Sequence, residues 1–205
     1  KSLIAISLAS MVLFSGCGGG SSESTTPAVG TTTVTAVDGY IKNATLTDNG
    51  GEVGVYTSNG QYTFSGSIAY PLTLTGGTLE DTNASFDINM TAQSGLVISP
   101  ITTFLENNAS LQTKLAIALG VSDSIDSFAI DYVDTNNSDV AKLSQLLYMV
   151  QKDTTLKNAF KINVAGANPA SLNDMFTLAE ADVNATIGVG YQEAYRTFLT
   201  NVKTL

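Results

Sequence analysis

The chain changes its hydrophobic rhythm once, at Ser99-Pro100, and that change governs what it can fold into. From Val34 up to this point, β-branched and aromatic residues come in short runs separated by Gly, Asn and Asp; beyond it, apolar residues recur every three or four positions. The first pattern belongs to strands with one buried face and the second to helices with one buried stripe. The expected fold class is therefore α+β: a small antiparallel β-sandwich over residues 34–98, followed by a mostly α-helical region over residues 99–205. An N-terminal signal helix (1–16) and a flexible linker (17–33) precede both.

Seven strands are predicted, at Val34–Val37, Tyr40–Leu46, Val53–Thr57, Gln61–Ser65, Ala69–Thr75, Ser85–Met90 and Leu96–Ile98. Asn59-Gly60, between two of these runs, is a hairpin signal because both residues tolerate the positive φ of a type I′ turn. In the second half, Ser99 caps a helix with Pro100 at its first position, where the missing N–H costs nothing. The helix pauses at Asn107-Asn108 and restarts behind Ser110, with Leu111, Leu115 and Leu119 on one face, until Gly120 stops it. Residues 123–137 read as a surface loop. Further helices are predicted behind Ser138, over Thr154–Phe160 behind Asp153, over Pro169–Ala185 with Ser171 and Asp174 as a capping pair, and over Val189–Val202.

The N-terminus carries the only cysteine, Cys17. Ser2–Leu13 is mainly apolar but falls short of the roughly 20 residues a permanent membrane span needs, so cleavage is the better reading. Leu13-Phe14-Ser15-Gly16-Cys17 resembles the lipobox of a bacterial lipoprotein signal peptide, although Phe14 stands where that motif usually has an aliphatic residue. The resemblance implies removal of residues 1–16 and diacylation of Cys17, an anchor made permanent by several buried acyl chains. Gly18, in place of the Asp linked to inner-membrane retention, implies the outer membrane. Residues 18–33, rich in Gly, Ser and Thr, read as a tether.

Val37-Asp38-Gly39-Tyr40-Ile41-Lys42-Asn43-Ala44-Thr45-Leu46 resembles the opening of transthyretin-like or carboxypeptidase-regulatory-like modules of bacterial surface proteins. The likeness continues through Gly60-Gln61-Tyr62-Thr63-Phe64 and Leu74-Thr75-Gly76-Gly77 to Val97-Ile98-Ser99-Pro100, where such modules pass into a helical tail. Relatives of that type often carry a calcium-loop-like insertion after the first strand. This chain has only Thr47-Asp48-Asn49-Gly50-Gly51-Glu52, in which Asp48, Asn49 and Glu52 offer oxygen ligands but the composition suits a polar turn. Asp134 and Asn136 match the front of a calcium loop, yet Asp139 replaces the turn Gly and Gln145 the bidentate Glu.

The formal charge is −9, with nine Lys and Arg scattered along 205 residues, so no basic patch exists to hold nucleic acid. There is no His, which removes the commonest general base and the commonest transition-metal ligand. Glu80-Asp81 and Glu180 with Asp182 are carboxylate pairs whose spacing alone does not converge them. No catalytic residue, metal site or cofactor is assigned. The expected function is a non-enzymatic, lipid-anchored envelope protein for recognition, adhesion or assembly, joined to the membrane through Cys17 and meeting a protein or glycan partner. The alternative is a lipid-anchored hydrolase whose carboxylates meet only in three dimensions.

Overall fold

The structure, a computed structural model, describes residues 30–205. The signal helix, Cys17 and most of the expected linker lie outside the described residues. Residues 30–205 adopt the expected α+β arrangement, with nine short strands and then six α-helices and one 3₁₀ turn (Ile125–Ser127) among the described residues.

Strand β1 (Thr31–Ala36) begins inside the segment read as linker, because Thr31–Thr35 pair in register with Ser65–Gln61. The expected strand Tyr40–Leu46 is two: β2 (Ile41–Lys42) and β3 (Thr45–Thr47), separated by Asn43 at a φ of 56°. Then come β4 (Val55–Tyr56), β5 (Gln61–Ser65), β6 (Leu72–Thr75), β7 (Thr78–Leu79), β8 (Met90–Ala92) and β9 (Val97–Ile98). They form sheets in the orders β4-β5-β1-β9, β3-β6-β8 and β2-β7. One pair departs from the antiparallel expectation: β9 runs parallel to β1, with Thr35 opposite Val97 and Ala36 opposite Ile98. The connection between them is the rest of the sandwich, long enough to bring the chain back in the same direction. The expected strand at Ser85–Met90 is mostly unpaired, with Ser85 bridging Thr78 and Met90 opening β8. Its alternation survives nonetheless, since Phe86 and Ile88 turn inward while Asp87 stays outside.

The strands need two faces because their inward residues share one core. Val34, Tyr62, Phe64, Leu72, Leu74 and Met90 belong to a single buried cluster drawn from both larger sheets. Burying each such side chain stabilises the fold by about 1.5–3 kcal/mol. Asn59 and Gly60, at φ of 49° and 68°, make the turn before β5 as expected.

Helix α1 (Pro100–Leu105) starts at the predicted cap: Ser99 accepts from the Thr102 N–H, and the Thr102 hydroxyl accepts from the Ser99 N–H at 2.9 Å. Helix α2 (Ala109–Leu119) is capped by Asn108 rather than Ser110, and α3 (Ser138–Gln151) by Asn137 rather than Ser138. In both, the asparagine carbonyl reaches the N–H three residues on, so the helix begins earlier than a serine cap would allow. Helix α4 (Thr154–Gly166) runs past Phe160 because Val164 continues its buried stripe. Helices α5 (Leu172–Thr186) and α6 (Val189–Lys203) complete the bundle.

The halves are interlocked. Every residue of α1 is buried, and its Thr102 and Thr103 hydroxyls lie 3.1 and 3.2 Å from the Thr91 carbonyl of β8, with Thr103 Oγ1 also accepting from the Thr91 N–H at 2.9 Å. Val37 and Val97 from the sandwich belong to the helical core, while Tyr148 of α3 packs on the sandwich core.

Candidate functional site

Where residues 87–89 of the sandwich face the corner between α3 and α4, a cleft of about 410 Å³ opens. Its walls carry the amides of Asn89, Gln151 and Asn158 together with Asp87, Lys152 and Lys157. Lys152 also borders a second groove of about 180 Å³, between α3 and α6, walled by Tyr148, Met149, Tyr195 and Phe198. A polar cleft and an aromatic groove thus share one lysine.

Helical spacing builds the partition between them. Tyr148 and Lys152 are four apart and lie on one side of α3. The Tyr148 hydroxyl donates to Asp87 Oδ1 at 2.5 Å, Lys152 Nζ sits 2.7 Å from Asp87 Oδ2, and Nζ is 5.1 Å from the Tyr148 ring centroid. Partial burial pushes the Asp87 pKa up, but hydrogen bonds from Lys152 and Tyr148, with the lysine charge, outweigh it and hold the carboxyl below its ordinary range. Burial and Asp87 hold the Tyr148 phenol well above its own. Lys157 is matched by Glu106 at 2.7 Å, which also receives Lys161 at 2.8 Å. Every charge in the cleft therefore has a partner.

One of these amides has an unmet acceptor. Gln151 Nε2 donates to the Pro100 and Leu147 carbonyls, leaving its buried Oε1 without a donor. Such a set, amides and hydroxyls with internally compensated charge beside aromatic faces, suits a neutral ligand rich in hydroxyl groups. Hydroxyls both donate and accept, and the C–H faces of a sugar ring pack on aromatic rings.

The sequence-predicted positions lie elsewhere. Asp48 is buried, with Oδ1 accepting from the Glu52 N–H at 2.8 Å and Oδ2 from the Ala69 N–H at 2.9 Å. These backbone donors, Ala69 foremost, hold its pKa down. Asn49 is exposed, and Glu52 turns to the Ser65 N–H at 2.6 Å. The group is a turn anchor. Asp134 and Asn136 are exposed on a loop organised by Asp131, which accepts from the N–H groups of Val133 and Asp134. Among the described residues, no three His, Cys, Asp or Glu side chains gather as a metal site. Glu80 accepts from Tyr56 and the Gly60 N–H while Asp81 caps Thr82; Glu180 pairs with Lys203 while Asp182 takes Asn163. Neither carboxylate pair converges on a cleft with its neighbour. The polar cleft holds one carboxylate, Asp87, and the groove none.

Compared with family models, curated proteins and solved structures, the chain finds no match. The cleft residues come from three separate segments, and only the Tyr148/Lys152 spacing is visible in the sequence.

Proposed function

We propose that this chain is a non-enzymatic, lipid-anchored recognition protein of the bacterial envelope, held at the outer membrane through Cys17 and binding a glycan in the cleft between its two halves. The observation that carries the binding assignment is the cleft itself: three amides and compensated ion pairs beside the rings of Tyr148, Tyr195 and Phe198. The anchor rests on Leu13–Cys17 and its resemblance to a lipobox, and the sandwich with a helical tail is the architecture that the second resemblance implied for surface modules.

Each half has its own test. In cells labelled with palmitate, the native chain takes up label and its processing is blocked by globomycin; Cys17→Ala takes up none and leaves the membrane fraction. Unchanged fractionation of the variant overturns the anchor. On a glycan array the protein selects a set of oligosaccharides, and joint replacement Asn89→Ala and Asn158→Ala weakens that binding at least about tenfold, the loss of one to two net hydrogen bonds. Binding that survives the double replacement removes the cleft from the assignment.

A further inference from the structure

The seam between the halves holds a buried carboxylate with no cation beside it. Asp38, just after β1, is 4% exposed. Its Oδ1 lies 2.8 Å from Gln145 Nε2, 3.2 Å from the Tyr132 hydroxyl and 3.4 Å from Ser144 Oγ, all from the helical half. The Tyr132 hydroxyl also reaches the Val37 carbonyl at 3.1 Å and Ser144 Oγ at 2.7 Å. These hydroxyls cannot satisfy every acceptor: Tyr132 has one proton for three candidate acceptors, and Ser144 one for two. With Asp38 ionised, a hydroxyl that joins Gln145 in donating to Oδ1 leaves either the Val37 carbonyl or the 2.7 Å Tyr132–Ser144 contact without a proton, which a carboxylic acid at Asp38 would supply.

The surroundings offer no other neutralisation. The segment carrying Tyr132 contributes Asp131, which accepts from Tyr40 at 3.1 Å; α3 contributes Ser144, Gln145 and the Tyr148 phenol; Asp38's own segment contributes Tyr40. All are neutral or acidic. Among the described residues no Lys or Arg pairs with Asp38. A buried, unpaired carboxylate is expensive, whereas an acid protonated on Oδ1 still accepts from Gln145 Nε2 there and donates to the Tyr132 or Ser144 oxygen.

We propose that Asp38 is a proton-operated lock on this seam: protonated, it completes the cluster that holds the helical half to the sandwich; ionised, it places an uncompensated charge there and loosens the junction. Burial pushes its pKa up from 3.8 to about 7, against hydrogen bonds from Tyr132, Ser144 and Gln145 that pull it down. A carboxyl raised in the folded state is protonated there while still ionised when exposed. The contribution is complete below the ordinary carboxylate range, is lost progressively as pH rises from there towards 7, and is constant above.

The full chain tests this. Carbon-13 detection of the Asp38 carboxyl should show a midpoint near 7, and amide exchange of the first half of α3, corrected for intrinsic rate, should quicken roughly thirtyfold between pH 5.5 and pH 8. In Asp38→Asn, which mimics the protonated acid, that extra dependence should vanish. A carboxyl midpoint in the ordinary carboxylate range overturns the lock, even if the variant fails to fold. So does an equal pH response in Asp38→Asn.

Discussion

Gly60 shows how much a single position carries. It sits at a φ of 68°, and a Cβ there would come within 2.5 Å of the carbonyl oxygen of Ala36, while the Ala36 N–H donates to the Gly60 carbonyl at 2.8 Å. Gly60→Ala therefore meets both backbone strain and a backbone overlap that no rotamer relieves, and urea denaturation should show a loss of about 2–3 kcal/mol. That turn was legible in the sequence because Asn-Gly acts through its own backbone. Asp38 was not, although it stands in an equally plain Val-Asp-Gly-Tyr: its partners Tyr132 and Gln145 are 94 and 107 residues away, and nothing local distinguishes it from a turn aspartate. Asp48 went the other way. Its neighbours suggested oxygen ligands, but the loop leading into β6, invisible locally, supplied through Ala69 the N–H that occupies one of its oxygens.

Among the elements, α1 holds the fold together. Its start was readable from Ser99-Pro100, and the core-facing roles of Ile101, Phe104 and Leu105 followed from spacing. The burial of Thr102 and Thr103 did not, because a hydroxyl reads as an exposed position until a strand carbonyl is brought to it. Thr103→Val keeps the shape, removes the hydroxyl that reaches the Ser99 carbonyl at 2.7 Å, and leaves the Thr91 N–H without its 2.9 Å acceptor. Thermal unfolding should report a loss of about 1–3 kcal/mol, the cost of stranding buried backbone groups. Just beyond α1, Glu106 draws in Lys157 and Lys161 of α4. Partial burial raises its pKa, but the two lysines outweigh that and hold it below the ordinary value. The pair therefore stabilises above the unfolded carboxylate range and loses its effect as pH falls through the folded value. With that carboxylate about half exposed, Glu106→Gln should cost under about 1 kcal/mol at pH 7 in urea titrations, and the difference should shrink as the pH is lowered through the acid range.

At the scale of the molecule, the α+β division was readable from the change of period, but the exchange across it was not. Val37 and Val97 are sandwich residues by sequence and helical-core residues by packing, and Tyr148 makes the reverse move. Neither half keeps a closed core without the other. Calorimetry of the full chain should give one transition with matching calorimetric and van't Hoff enthalpies, and helix loss and tyrosine signals should coincide. Two separated transitions would show the halves to be independent. The cleft is a product of this docking and has no existence in either half alone.

Strand β1 lies inside its sheet, flanked by β5 along five residue pairs and by parallel β9, and the chain enters the domain at its Thr31 end. Tension arriving there along the strand axis would make β1 slide against both neighbours, so that the hydrogen bonds on its two sides share the load together instead of parting one by one. A pull applied at Thr31 is therefore met in shear by both flanking strands, a geometry that resists force better than one in which a strand peels from an edge.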